Sequence, residues 1–202
     1  MKTVALTGGI ASGKTVVLDE IDRNFDGVVT IQADDLAKEI YQPSNPNYED
    51  VIDLLGPDVA NESGTVDSEK VADIVFDDTE KLRKLEEVAH PYVVRKIEEL
   101  SGYYRKKGTE LLLVEIPLFF QSSRIDRNSF DLVLLVTASR GRRVDRLMDR
   151  DGLNRSEAER RIDLQALPKD AREKADHVIE TNRDVEEARR KAREFASELL
   201  GA

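Results

Sequence analysis

Residues 8–15 read GGIASGKT and directly follow an apolar run at residues 4–6. This segment matches the pattern G-x-x-x-x-G-K-[ST], whose fixed positions are Gly8, Gly13, Lys14 and Thr15. Glycine lets a phosphate chain approach the backbone, and loop N–H groups and a following helix N-terminus attract its negative charge. The motif predicts a phosphate-binding loop in which Lys14 reaches the β- and γ-phosphates and Thr15 ligates Mg²⁺.

This motif requires a strand before it and a helix after it. Residues 3–6 suit a short buried strand, and apolar residues recur at helical spacing after the loop, at Val17, Leu18, Ile21 and Phe25. The alternative, a glycine-rich turn that binds nothing, is disfavoured by four fixed positions in the required context.

Phosphoryl transfer also needs a base, an acceptor pocket and a closing lid. Asp34 is the best candidate base, because it follows a predicted second strand and would lie at the ligand-binding edge of an open α/β sheet. Asp35 is the alternative, and either could be only a helix cap.

Glu115 ends a third predicted strand, where a Walker-B acid or a loop cap would stand. His90 precedes Pro91 at a predicted helix break, where a ligand contact and a structural role are equally supported.

Composition and charge limit the class of protein. The chain has 202 residues, 40% of them apolar, and no cysteine, which excludes disulfides and thiolate chemistry. The net charge is −10, with 22 acidic and 10 basic residues in positions 1–100, which argues against a nucleic-acid partner. No apolar run suits a membrane span and no signal peptide is apparent. We expect a cytoplasmic protein, a monomer or small homo-oligomer, with small-molecule partners and neither nucleic acid nor membrane.

The order of predicted elements indicates an α/β fold. Continuous apolar runs at 28–31, 111–116 and 132–136, and a shorter one at 177–179, suit strands of a parallel sheet covered on both faces. Helical patterns alternate with them, so we predict a doubly wound parallel sheet of the P-loop NTPase type. Two helical excursions interrupt the alternation. The second, around 140–168, contains eight arginines at positions 140–161. Most of them are expected to be solvated and a minority to face a phosphate.

Six segments together resemble the dephospho-CoA kinases along nearly the whole chain. They are LTGGIASGKT (6–15), ADDLAKEIY (33–41), VADIVFDDTEKLRKLEEVAHP (71–91), EIPLFF (115–120), RLMDRDGLNRSEAERRIDLQ (146–165) and ADHVIETN (175–182). The resemblance implies transfer of the γ-phosphoryl group of ATP to the 3′-hydroxyl of the dephospho-CoA ribose, the last step of coenzyme A synthesis, with Mg²⁺ as cofactor.

The resemblance also implies that different segments of the chain have different roles. Residues 1–43, 108–139 and 169–202 would form the nucleotide-binding core, 44–107 a helical substrate domain, and 140–168 a lid that excludes water. Asp34, Lys14 and Arg150 are the expected catalytic residues, and Asp34, His90 and Pro117 are expected on the acceptor side. The residues expected to hold ATP are Gly8, Gly9, Ala11, Ser12, Gly13, Lys14, Thr15, Val16 and Arg146, with Thr15 also on the metal.

Two departures from the family pattern replace an acid by an amide. Gln32 stands where D-A-D is usual, and Gln121 stands where P-L-L-x-E is usual, which keeps hydrogen bonding but loses charge. The sequence leaves three other functions to consider. A nucleoside or nucleotide kinase would differ only in the acceptor pocket. A GTP-dependent switch would need N-K-x-D, which the string at 181–184 does not match. An inactive kinase retained for binding is supported only by the two amides, and Lys14, Thr15 and Asp34 oppose it.

Overall fold

The core of the fold is one five-stranded sheet in which every neighbouring pair is parallel. The computed structural model describes residues 1–122 and 125–201, without the side chain of Asp77. In this part of the chain the strands run in the order β2-β3-β1-β4-β5. They are β1 (Lys2–Thr7), β2 (Val28–Gln32), β3 (Leu111–Glu115), β4 (Leu132–Thr137) and β5 (His177–Glu180).

Helices connect the strands. They are α1 (Lys14–Asn24), α2 (Ala33–Lys38), α3 (Tyr48–Leu55), α4 (Ser68–Asp77), α5 (Thr79–Lys106), α6 (Arg140–Asp151), α7 (Arg155–Leu164), α8 (Ala171–Lys174) and α9 (Val185–Leu200). Short 3₁₀ turns lie at Glu39–Tyr41, Pro57–Val59 and Arg127–Ser129. No helix of the described chain is long and apolar enough to cross a membrane.

The sheet is buried on both faces, which explains why its strands read as continuous apolar runs. All five residues of β3 are buried. On one face α1 and α9 pack against the sheet, and their buried side chains form one cluster with alternate residues of the strands, including Val17, Ile21, Ala192 and Phe195. This packing fixes the end of β1 and the start of α1, between which the phosphate loop must run.

The chain divides into two compact units. One consists of residues 1–32 and 101–202 and contains the sheet; the other is the continuous segment 33–100. The second unit has its own apolar core, built from nine buried residues: Ile40, Val51, Leu55, Val59, Val66, Val71, Leu85, Ala89 and Tyr92. All nine residues come from within this unit.

The expected helix break at Pro91 is wrong, because α5 runs through it from Thr79 to Lys106. A proline inside a helix removes one hydrogen bond and usually kinks or ends it. Here Ala89, Tyr92 and Val93 on either side are buried, whereas Pro91 itself is exposed. We attribute the continuity to this flanking burial.

Helices α6 and α7 form a pair with well-defined starts. The Ser139 hydroxyl accepts from the Arg142 N–H at the start of α6, and Asn154 and Glu157 form a complete capping box at the start of α7. Four buried side chains join the two helices, and Ile10 and Ala11 of the phosphate loop pack against them. The helix pair is therefore in contact with the loop.

Candidate active site

The phosphate loop runs from Gly8 to Gly13, between β1 and α1, as the motif requires. A Cβ at Gly8 would lie 2.1 Å from the carbonyl oxygen of Val136, so only glycine lets the loop pass this close to β4. Gly13 has φ = 95°, a left-handed conformation that glycine adopts without strain, and no side chain caps the helix that begins after it. The positive end of α1 is thus left to the loop and its ligand.

Lys14 points back into the loop. Its Nζ donates to the carbonyls of Gly8 at 3.1 Å and Gly9 at 3.4 Å, and lies 3.7 Å from Oε1 of Glu115. The lysine and glutamate side chains are only 12% and 11% exposed. This is a cation held beside the phosphate cradle by two carbonyl dipoles and a carboxylate, in a site where solvent screens charge weakly.

The strand register brings Glu115 to the centre of the site. It stands opposite Leu6 of β1 on one side and Gln32 of β2 on the other. The Gln32 amide therefore lies in the strand position next to the buried Glu115. An aspartate there would have placed a second carboxylate beside it.

Asp34 and Asp35 both lie in the first turn of α2 and both are exposed. Asp35 pairs with Lys38 at 3.3 Å, whereas Asp34 has neither an ion pair nor a side-chain hydrogen bond within the described chain. Of the two, Asp34 is the carboxylate whose oxygens are not engaged by the protein.

The two other residues expected on the acceptor side lie in different settings. His90 is half-buried inside the continuous helix α5 and not at a helix end. Pro117 lies just after β3, and its carbonyl accepts a hydrogen bond from the Thr7 hydroxyl at 3.1 Å. This hydrogen bond connects the loop after β3 with the last residue of β1.

Arg146 of α6 reaches the phosphate loop. Its Nη1 donates to the Ala11 carbonyl at 3.1 Å and to the Thr181 hydroxyl at 3.0 Å, and its Nη2 to the Thr181 carbonyl at 2.5 Å. The Thr181 hydroxyl in turn donates to the Ser12 carbonyl at 2.6 Å. Partial burial, and then the nearby charge of Arg142, lowers the pKa of Arg146. The structure thus connects Arg146 with Ala11 and Ser12, as members of one network.

Arg150 is not brought to the loop in this structure. Its guanidinium makes two hydrogen bonds to the neighbouring Asp151, at 2.6 and 3.0 Å, and is exposed. These hydrogen bonds raise the pKa of Arg150 and lower that of Asp151.

Sequence reasoning missed two residues of the site. Thr181 is 2% exposed and stands directly after β5; a polar residue following a strand at the ligand edge of the sheet was the available signal. Arg143 is 8% exposed and its guanidinium lies against Gly9, where a Cβ would be 2.6 Å from Nη1. Its helical spacing with the buried Leu147 could have separated it from the solvated arginines.

Known proteins share both the sequence and the fold. The sequence profile of the dephospho-CoA kinase family matches residues 2–187. The dephospho-CoA kinase of Corynebacterium glutamicum is 32% identical over 200 residues, covering 98% of this chain and all of that protein. A solved structure from Thermus thermophilus has a TM-score of 0.74 at 32% identity, covering 98% and 97% of the two chains. The dephospho-CoA kinase of Campylobacter jejuni has a TM-score of 0.71 at 23% identity, covering 98% and 97%, which supports the fold alone.

The parallel sheet, the glycine loop with its buried lysine and the arginine-bearing helices define a P-loop kinase. Among the P-loop kinases, the sequence match identifies one family. This chain belongs to the dephospho-CoA kinase family. Its activity is the ATP-dependent phosphorylation of an alcohol group of dephospho-CoA, in coenzyme A biosynthesis, and the nucleoside or nucleotide kinase alternative is not favoured.

Proposed function

We propose that the phosphoryl group goes from ATP to the 3′-hydroxyl of the dephospho-CoA ribose, giving coenzyme A and ADP. The observation that carries the proposal is the loop of residues 8–13 with Lys14 folded back to within 3.1 Å of the Gly8 carbonyl. Phosphoryl transfer asks the protein mainly to align the reactants and to neutralise charge. This loop supplies fixed donors for that purpose.

Lys14 would change partners when ATP enters. In the free protein its charge is balanced by Glu115 and by two carbonyls. A phosphate chain in the loop offers stronger acceptors, so the ammonium would turn to the β- and γ-phosphates and stabilise the charge that develops during transfer. Because the site is nearly buried, this interaction is only weakly screened.

The residues present fit a magnesium ion that arrives with ATP. Mg²⁺ in kinase sites keeps several waters and takes only one or two protein ligands beside the phosphates. Thr15 is exposed in the first turn of α1, and Glu115 ends β3 close to Lys14. The absence of any cluster of three or more His, Asp or Glu among the described residues agrees with such a sparse site. When bound, the ion would neutralise phosphate charge; Thr15 would hold it, with Glu115 nearby.

Asp34 is proposed to orient the ribose hydroxyl and to accept its proton. Its unengaged carboxylate, next to an ion-paired Asp35, supports this choice. His90 and Pro117 are proposed on the acceptor side, and Arg146 and Arg150 on the nucleotide side. We retain 44–107 as the substrate segment and 140–168 as the lid, and propose a monomer or small homo-oligomer acting in the cytoplasm, where ATP is available.

The proposal is tested by ADP release with ATP and Mg²⁺, comparing dephospho-CoA with adenosine, AMP and no acceptor. Release only with dephospho-CoA, together with a product phosphorylated at the 3′ position, supports it. Equal release with AMP would overturn the choice of acceptor. ATP binding without release in any mixture would instead indicate an inactive kinase.

A further inference from the structure

A cavity of about 310 Å³ is lined by residues of β4, α6, α7 and the segment that follows α7, and one of them, Arg143, also lies against Gly9 of the phosphate loop. The residues that line it are Leu135, Thr137, Arg140, Arg143, Ile162, Asp163, Ala166, Leu167, Pro168, Lys169, Ala171 and Arg172. Four of them are basic and one is acidic. The cavity is therefore suited to an anion.

Two of the four basic residues already have acidic partners. Arg140 pairs with Asp163, with Nη2 3.0 Å from Oδ2, and Arg172 pairs with Glu180. Neither Arg143 nor Lys169 forms an ion pair with any residue the structure describes. Asp163 acts on Arg143 electrostatically but is already paired with Arg140, so neither cation has a carboxylate of its own within the described chain.

Arg143 is the more unusual of the two. It is only 8% exposed, yet its Nε and Nη2 have no hydrogen-bond partner among the residues that the structure describes. Burial, and then the charge of Arg140, lowers the pKa of Arg143. A buried guanidinium without partners destabilises the free protein, because its desolvation is not offset by hydrogen bonds.

The position of Arg143 points to its ligand. The guanidinium lies against Gly9 of the phosphate loop: a Cβ at Gly9 would be 2.6 Å from Nη1 and 3.3 Å from the unpartnered Nη2. At least one unpartnered nitrogen is therefore next to the loop that the phosphates approach. Arginine is well matched to phosphate, because its planar fork can donate two parallel hydrogen bonds to it.

We propose that Arg143, with Lys169 beside it, binds a phosphate group of one of the two substrates in this cavity. The group is either the γ-phosphate of ATP or the diphosphate of dephospho-CoA, since both present the same charged oxygens. The inference rests on the proposed function, because that function supplies the two substrates.

The experiment measures equilibrium binding of three probes in the presence of Mg²⁺: ADP, a non-hydrolysable ATP analogue and dephospho-CoA. The variants are Arg143→Gln and Arg143→Met, with Arg155→Gln as the matched control, because Arg155 is an exposed arginine of the helix pair that does not line the cavity. Melting temperatures of the ligand-free proteins are measured alongside.

We expect both Arg143 variants to bind one probe about 10- to 100-fold more weakly, the usual worth of a hydrogen bond to a charged group. If affinity is lost for the ATP analogue but not for ADP, the group bound by Arg143 is the γ-phosphate. If affinity is lost for dephospho-CoA alone, the group is its diphosphate. Since the substitutions remove an unpaired buried charge, the ligand-free melting temperature should stay the same or rise. The control should match the parent protein.

The proposal is overturned if both variants bind all three probes like the parent, or if all three weaken equally, which would indicate a distorted loop. It is also overturned if both variants melt well below the parent or fail to fold, since Arg143 would then be structural. A parent protein that binds nucleotide but not dephospho-CoA would remove the proposed acceptor, while the comparison of the ATP analogue with ADP would still test Arg143.

Discussion

The guanidinium of Arg146 holds both the hydroxyl and the carbonyl of Thr181, at 3.0 and 2.5 Å. Through the same two residues α6 and the end of β5 are joined to the Ala11 and Ser12 carbonyls of the phosphate loop. The loop is thus held from outside by buried and partly buried hydrogen bonds, so its shape depends on residues that lie far from it in the sequence.

Thr181→Val should preserve the shape of the side chain but remove the hydroxyl. Arg146 would lose an acceptor and Ser12 a donor, in a place where an unsatisfied group costs about 1–3 kcal/mol. We expect kcat/KM for ATP to fall roughly 5- to 150-fold. Steady-state kinetics check this, with Thr109→Val as a control outside the network. Unchanged kinetics would show that the loop holds its shape without Thr181.

Lys14→Ala should lower kcat strongly, because the ammonium stabilises charge that develops only in the transition state. The companion variant Glu115→Gln keeps the shape of the side chain but removes the charge that faces Lys14 at 3.7 Å. We expect it to shift the dependence of the rate on Mg²⁺ concentration while leaving metal-free ADP binding nearly intact. Parent-like turnover of Lys14→Ala would contradict the role of the loop.

Asp34→Asn should leave ATP binding nearly unchanged and lower turnover by roughly 10²–10⁴, the usual worth of a general base. Asp35→Asn is the matched control, because it changes the neighbouring carboxylate, which is engaged by Lys38. Single-turnover kinetics separate chemistry from binding. If Asp35→Asn lost activity and Asp34→Asn did not, the result would indicate that Asp35, and not Asp34, is the base.

Gln121→Glu should weaken the contact between two loops. The Gln121 Nε2 donates to the Ala166 carbonyl at 3.1 Å, and a carboxylate cannot donate there. We expect a loss of about 0.5–1.5 kcal/mol in the free energy of unfolding. Chemical denaturation measures it, and Gln121→Met, which lacks a donor but also lacks the repulsive charge, should lose less. A free energy of unfolding higher for Gln121→Glu than for the parent protein would contradict a stabilising contact between Gln121 and Ala166.

Tyr92 should resist ionisation. Burial, and then its hydrogen bond to Glu39, raises the pKa of Tyr92 to about 12, above the value near 10 of an unfolded tyrosine. Above about pH 10 the unfolded chain loses a proton that the folded chain keeps. The contribution to stability is therefore complete below that pH and is lost as pH rises through 12. The difference in phenolate absorbance between the parent and Tyr92→Phe should have its midpoint near 12; a midpoint at the ordinary value would contradict this.

The sheet and its loop could be predicted because their signals are local. The run at 111–116 is a strand at 111–115, and Ser139 and Asn154, residue types that commonly cap helices, stand at the starts of α6 and α7. Pro91 could not be interpreted in the same way. Whether a proline ends a helix depends on the burial of its neighbours, which the local pattern does not contain.

The site was predicted in part for the same reason. The motif names Lys14, whose partners Gly8 and Gly9 are close in sequence, and the end of a strand names Glu115, which lies 3.7 Å from Lys14. The choice of Asp34 stays a prediction. Arg143 and Thr181 meet the loop only through folding, across more than a hundred residues, so the local signals they carry, a position after a strand and a helical spacing, do not name their partners. Among eight arginines in one stretch, burial was the property that distinguished Arg143, and burial is a result of packing.

The strand order has a consequence for how the chain acquires its fold during synthesis. The central strand β1 is made first, but its neighbours begin only at Leu111 and Leu132, roughly a hundred residues later. Contacts between such distant segments form slowly, because a long loop must close before they are made. The segment 33–100, in contrast, is continuous and is complete before β3 is translated. The nascent chain can therefore order its inserted helical unit while β1 and the phosphate loop still await the strands that hold them.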